Sequence, residues 1–172
     1  YVVIRENTEG EYGNVGGRYK EGTPDEVVMQ QSVFSRKGVD RIMKYAFELA
    51  KTRKKHVTSC TKSNGITITM PYWDERFAAM SKNYPDVRTS WYHIDGLTIQ
   101  MVLNPDRFDV IVASNLFGDI ISDLGPATAG TIGIAASDDG VHWRYQGTAD
   151  FPKACTDVTL WAPEIYYENG TY

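Results

Sequence analysis

Residues 108–113 read Phe-Asp-Val-Ile-Val-Ala, an apolar run broken only by Asp109. Such a run suits a strand covered on both faces, the condition of a parallel sheet. Asn115 stands where it can cap a helix, and the pattern through Phe117, Ile120, Ile121 and Leu124 carries that helix to Gly125-Pro126. The same alternation holds upstream. Residues 27–34 read as a strand. Ser35 can cap the helix that follows, in which Val39, Ile42, Met43, Ala46, Phe47 and Ala50 recur at i, i+3, i+4 and i+7. Residues 57–61 form a short strand pattern leading into Lys62-Ser63-Asn64-Gly65. Residues 71–83 read as a helix, with Pro71 suited to its first turn and Pro85 ending it. Residues 89–94 are strand-like, and a helix follows to about Leu103. Strands and helices thus alternate from about residue 28 to 136, which predicts α/β layering. Residues 1–4 read as a strand in progress. The glycines at 10, 13, 16, 17 and 22 suggest turns and a β arm.

Composition narrows the function classes. At 172 residues the chain can bury a core as one compact domain or two small ones. With 42% hydrophobic and 23% charged residues it is neither disordered, collagenous nor a coiled coil. No apolar run reaches bilayer-spanning length, so no membrane partner is expected. A net charge of -4 supplies no electrostatic attraction for nucleic acid. Cys60 and Cys155 lie far apart, which argues against a disulfide scaffold and a cysteine zinc site. The expected compartment is reducing and cytoplasmic. Residues 137–172 change character: tryptophans, tyrosines and turn residues replace the helical period, so an all-β tail is expected beyond a boundary near residues 136–137. The chain opens at Tyr1 without methionine, and the hairpin signal Asn169-Gly170 is followed only by Thr171-Tyr172. Both ends therefore read as cuts in a longer protein.

Several polar residues stand out. Asp119 and Asp123 lie four apart on one helix, a like-charge spacing that costs a few tenths of a kcal/mol. Either the positive end of the helix dipole or a hard divalent cation would offset that cost. Asp95 ends a strand pattern, and parallel sheets gather strand ends and helix starts at the rim where ligands bind. Lys62 follows another strand and reads either as a solvated loop residue or as a base. Arg5-Glu6-Asn7-Thr8-Glu9-Gly10-Glu11-Tyr12 reads as a polar turn, with an arginine suited to a carboxylate and a tyrosine able to donate a proton. Lys51, Arg53, Lys54 and Lys55 crowd a helix end, where cations complement the dipole; a phosphate-binding patch is the other reading. Gly130-Thr131-Ile132-Gly133 lacks the dinucleotide G-x-G-x-x-G spacing, and His56, His93 and His142 have no metal-ligand spacing.

VIRENTEGEYGNVGG (3–17), SVFSRKGVDRIMKYAFELA (32–50), HVTSCTKSNG (56–65), MPYWDERF (70–77) and FDVIVASNLFGDIISDLGPATAGTIGIA (108–135), taken together, resemble the β-decarboxylating dehydrogenases. That family comprises the isocitrate, 3-isopropylmalate and tartrate/D-malate dehydrogenases, and RENTEGEY leans toward the tartrate/D-malate branch. The resemblance implies a piece of an isopropylmalate-dehydrogenase-like fold: layered α/β/α with a β arm, residues 1–136 carrying the substrate and metal site and the dimer arm. It also implies oxidation and β-decarboxylation of a small 2-hydroxy acid with NAD and with Mg²⁺ or Mn²⁺. Arg5 would grip a substrate carboxylate and Tyr12 would donate the proton after decarboxylation. Lys62 would be the base, and Asn64 would lie near substrate and nicotinamide. Asp95, Asp119 and Asp123 would hold the metal. Lys62 and Asp95 would complete the site of a second subunit, so a homodimer is implied. The family's nucleotide-binding half and adenosine loop are missing from the chain, so inactivity alone is expected. Residues 137–143 and 160–170 instead resemble the five-bladed β-propeller glycoside hydrolases, making a foreign propeller-like tail the expectation. A propeller glycosidase fragment and a non-catalytic α/β interaction module are the rival readings.

Overall fold

The computed structural model describes the backbone of residues 1–129, 131–136 and 144–150, and the side chains of residues 1–128. In chain order the elements are β1 (Val2–Arg5), β2 (Gly16–Tyr19), β3 (Val27–Gln30), α1 (Arg36–Lys51), β4 (His56–Thr61), α2 (Thr69–Ser81), β5 (Arg88–His93), α3 (Ile94–Leu103), β6 (Val110–Ala113), α4 (Asn115–Ala129), β7 (Thr131–Ala136) and β8 (Arg144–Asp150). The chain divides into two compact units, Tyr1–Ile121 and Ser122–Tyr172.

The first unit is built on a four-stranded parallel sheet in the order β1-β6-β4-β5. Every residue of β4 and β6 is buried, as the unbroken apolar run at 110–113 requires. The chain passes from β4 through α2 to β5 and returns through α3 to β6; the right-handed crossover rule for parallel strands assigns those two helices to opposite faces. α1 packs on β1, β4, β6 and α2. Val39, Met43, Ala46, Phe47 and Ala50 on its apolar stripe are fully buried. Ser35 caps it, its side chain accepting from the Gly38 amide at 3.0 Å. Trp73 of α2 is fully buried and donates its indole N–H to Ser59 Oγ at 3.0 Å, so the one polar atom of the ring is satisfied. Arg76 ties α2 to Asp40 of α1 at 2.7 Å.

The strand starts gather at the amino end of the sheet. There Asp109, which interrupts the apolar run, is 1% exposed and accepts from Arg53 Nε at 2.8 Å. His56 is also buried. Arg88 Nη2 lies 3.1 Å from its Nδ1, Ser90 Oγ lies 2.8 Å from its Nε2, and Ser90 in turn meets Thr58 Oγ1 at 2.9 Å. A guanidinium only donates, so Nδ1 accepts, Nε2 carries the proton, and the imidazole is neutral. Burial, reinforced by Arg88, holds its pKa below the ordinary histidine value.

β2 and β3 pair antiparallel as the arm, and all eight of their residues are exposed. Gly16 has φ +150°, and a Cβ there would stand 2.0 Å from the Met29 carbonyl oxygen, so only glycine fits. β3 ends at Gln30, short of the strand expected to residue 34; beyond it Val33 makes a single bridge to Gly10. In the second unit β7 and β8 pair antiparallel, with an irregularity between Ile134 and Ala135. α4 does not stop at Gly125-Pro126 but runs to Ala129. A proline removes one intrahelical hydrogen bond and bends a helix without having to end it. Residues 137–143 and 151–172, which carry both propeller-like stretches and Cys155, lie outside the described residues.

Phe47→Ala is expected to cost roughly 3–5 kcal/mol in urea unfolding, through lost burial and a residual cavity. Tyr45→Ala, one face away and 53% exposed, should stay within about 0.5 kcal/mol. The His56 site adds a pH dependence. The unfolded histidine takes a proton near pH 6.5 that the folded one resists, so its contribution is complete above about pH 6.5 and is lost as pH falls toward the depressed folded value. Unfolding free energy should therefore fall more steeply between pH 7.5 and 5.5 in the wild type than in His56→Gln.

Candidate functional site

All strands of the sheet run the same way, so their carboxyl ends share one rim. β1 ends at Arg5, β4 runs into Lys62, β5 runs into Asp95, and β6 runs into Ser114, Asn115 and α4. The topology thus brings the residues singled out in the sequence to one edge of the fold.

Two clusters form there. In the first, Arg5 reaches across to α4. Its Nη1 donates to Asp119 Oδ1 at 2.5 Å, and its Nε and Nη2 both donate to Asn115 Oδ1, at 3.1 and 2.8 Å. Tyr12 donates its hydroxyl to the other Asp119 oxygen at 2.8 Å, and the Arg5 guanidinium lies 5.8 Å from its ring centroid. The hydrogen bond to Asp119, then burial, raises the Tyr12 pKa. The phenol is therefore kept protonated at neutral pH. Arg5 can lie this close to the helix because residue 118 is glycine: a Cβ there would sit 2.7 Å from Arg5 Cβ and 3.2 Å from its Cα. Asp123 follows one helical turn after Asp119 along α4, in the second unit.

In the second cluster, Lys62 donates to Asp95 Oδ1 at 2.7 Å. That bond, then the Asp95 backbone N–H, lowers the Asp95 pKa. Thr61 and His93 are register partners just before these residues, and Thr61 Oγ1 and His93 Nδ1 are buried with no hydrogen-bond partner among the described residues. Asn64 is exposed in the turn held by the Lys62 carbonyl, which accepts from the Gly65 and Ile66 amides, both at 2.9 Å.

The structure brings Arg5, Tyr12 and Asp119 together, and separately Lys62 and Asp95. Among the described residues no three His, Cys, Asp or Glu side chains form a group able to hold a metal ion. Carboxylate oxygens suit a hard cation such as Mg²⁺ or Mn²⁺. Within the one chain described, Asp95, Asp119 and Asp123 do not form such a group.

Sequence reasoning missed the residues that hold the first cluster in place. Glu6, 1% exposed, accepts from Arg41 Nη2 of α1 at 2.9 and 3.1 Å. Glu9 accepts from the backbone N–H and the hydroxyl of Ser35, at 2.8 and 2.7 Å. Glu11 accepts from Ser114 Oγ at 2.6 Å and from the Leu116 amide at 3.0 Å, at the start of α4. Asn115, expected as the α4 cap, is instead its first residue, and its side chain is taken up by Arg5 and the Glu9 carbonyl. Glu11 performs the capping, which also suits the positive end of the helix dipole.

Comparison with known proteins follows the same residues. The family model for isocitrate/isopropylmalate dehydrogenase matches residues 1–144. A D-malate dehydrogenase [decarboxylating] from Escherichia coli is 57% identical over 170 residues, 98% of this chain and 46% of that protein. A tartrate dehydrogenase/decarboxylase from Pseudomonas putida is 56% identical over 171 residues, again 98% and 46%. A 3-isopropylmalate dehydrogenase from Rhodococcus opacus is 49% identical over 137 residues, 80% of this chain and 41% of that protein. The crystal structure of isocitrate dehydrogenase from Methylococcus capsulatus superposes with a TM-score of 0.69 at 38% identity, covering 74% of this chain and 38% of that one. The chain thus spans under half the length of these relatives. The first two alignments cover 98% of the chain and so take in nearly all of residues 137–172, and nothing in the comparisons supports a propeller origin for that tail.

Glu11→Ala should cost about 1 kcal/mol in thermal or urea unfolding, the usual penalty for losing a helix cap. Gly118→Ala should cost roughly 1–3 kcal/mol by overpacking against Arg5, and a crystal structure of that variant should show the guanidinium displaced from Asp119.

Proposed function

Because the chain belongs to the isocitrate/isopropylmalate dehydrogenase family, we propose that it carries the substrate site of an NAD-dependent, divalent-metal-dependent dehydrogenase that oxidises and β-decarboxylates a small 2-hydroxy acid of the D-malate or tartrate type. The observation that carries this reading is the convergence of Arg5, Tyr12 and Asp119 at the carboxyl rim of the parallel sheet.

Each residue has a task suited to its chemistry. Arg5 presents a planar fork to a substrate carboxylate. Lys62, as the neutral amine, would accept the hydroxyl proton as the 2-hydroxy acid becomes a 2-oxo acid and its hydride passes to NAD. Tyr12, held protonated, delivers a proton to the carbon left electron-rich when CO₂ departs. Asn64 lies on the exposed turn after β4, where a nicotinamide would meet the substrate. NAD supplies the hydride acceptor, and Mg²⁺ or Mn²⁺ supplies a Lewis acid, with Asp119 and Asp123 of one copy and Asp95 of another as its carboxylates. Two copies of the chain are part of this reading, with Lys62 and Asp95 of one serving Arg5 and Tyr12 of the other. The exposed apolar residues Trp91, Ile99, Val102 and Leu103, and Val27, Val28 and Met29 on the arm, support a protein partner on these faces.

The test is made in the longer protein that carries this chain, with NADH formation followed at 340 nm on D-malate and Mn²⁺. Tyr12→Phe should lower turnover by about 10²–10⁴-fold, the range of a lost general acid. Arg5→Ala should mainly raise KM. Wild-type rates in both variants would dismiss the assignment. The chain alone is expected to form no NADH.

A further inference from the structure

The amino end of the sheet, opposite the rim described above, carries a cleft of about 440 Å³ whose walls include Lys54, His56, Arg88, Ser90, Tyr92 and Arg107. We propose that this cleft binds a phosphate group, as free phosphate or as a small phosphomonoester, at a site separate from the dehydrogenase chemistry.

Three cations reach the cleft from three segments: Lys54 from the loop after α1, Arg88 from the first position of β5, and Arg107 from the turn before β6. Two carboxylates also line it. Asp109 is already engaged by Arg53, which leaves Asp106 as the one acid set against three positive charges. Lys54 has no hydrogen-bond or ion-pair partner among the described residues. Arg88 directs one N–H at His56 Nδ1, 3.1 Å away. That nitrogen belongs to a buried ring fixed from behind by Ser90 and Thr58. The guanidinium is thereby anchored while its other N–H groups remain available, and a guanidinium fork matches two phosphate oxygens. Arg107 is fixed on the facing wall, donating to Gln100 and lying 5.6 Å from the Tyr92 ring centroid.

The ligand class follows from these groups. The Arg88 and Arg107 guanidinium groups and the Lys54 ammonium carry only donors, and together they disfavour a bound cation. The cleft is larger than a phosphate ion requires, so an organic group could lie beside Tyr92. The carboxyl rim has its own arginine, Arg5, and does not contribute to this cleft.

The experiment is isothermal titration of the chain with inorganic phosphate and, in a second arm, with adenosine monophosphate, at constant ionic strength. One saturable site is expected, weakened at least about tenfold by Arg88→Gln, the cost of a charge-assisted hydrogen bond. Lys54→Gln, an exposed change that disturbs no described bond, should weaken it by a smaller factor, and Arg5→Gln should leave it unchanged. Phosphate binding as tightly as the nucleotide would assign the site to the free ion, and tighter nucleotide binding would assign it to a phosphomonoester. The proposal is overturned if neither probe saturates, if binding survives both the Arg88 and Lys54 substitutions, or if it is lost in Arg5→Gln.

Discussion

The parallel pairing of β1 with β6 is the constraint on which the rim depends. Its register sets Arg5 opposite Ala113, two residues before α4 begins. A guanidinium at the end of one strand is thereby laid against the first turn of the helix that leaves its neighbour. A slip of one residue would turn that side chain to the other face of the sheet. Gly118 makes the approach sterically possible, and Asn115 and Asp119 then occupy three of the guanidinium's N–H groups. This pairing also answers why α4 tolerates two aspartates one turn apart. The repulsion at that spacing amounts to a few tenths of a kcal/mol, and a charge-assisted bond to Arg5 exceeds it.

A second layer of carboxylates fixes the loop between Arg5 and Tyr12. Glu6, Glu9 and Glu11 alternate with residues that turn the chain, and each binds a different part of the scaffold: Arg41 on α1, the cap residue Ser35, and the start of α4. A carboxylate that accepts hydrogen bonds at a helix start gains from both the bond and the dipole. Tyr12, half-exposed on a loop, is consequently held within 2.8 Å of Asp119. Gly38 belongs to the same arrangement, since a Cβ there would meet the Glu9 carboxylate at 2.3 Å. What reads locally as a polar turn is a set of ties between two helices and one strand.

This contrast explains what could be read from the residues alone. The buried strands, the apolar stripe of α1, its Ser35 cap and the glycine-rich arm all follow from periods of two or 3.6 and from single-residue backbone preferences, which are local properties. The candidate residues Arg5, Tyr12, Lys62, Asp95 and Asp119 were legible because chain ends of parallel strands meet at one rim and because their motifs resemble those of a known family. The roles of Glu9, Glu11 and Gly118 were not, because their partners lie 26, 103 and 113 positions away. The cap assigned to Asn115 failed for the same reason: a distant arginine outcompeted the helix for its side chain. Pro126 misled in the opposite direction, since a local breaker lost to the continuation of a helix.

The topology that concentrates chemistry at the carboxyl rim also concentrates charge at the other end, where loops entering β4, β5 and β6 meet. Helix ends lie there as well, so complementing their dipoles is the competing explanation for the cations. The magnitudes separate the two. A dipole attracts a cation by about 0.3–1 kcal/mol, and only within the last turn of the helix. Lys51 satisfies that condition, lying in the last turn of α1 and pairing with Glu48 at 2.9 Å. Lys54 lies three residues further on, Arg88 opens a strand, and Arg107 lies in a turn ahead of another. Arg53 is accounted for by Asp109. The dipole therefore explains one member of the basic run after α1 and a buried carboxylate explains a second. Lys54 is explained by neither, and it lines the cleft shared with Arg88 and Arg107.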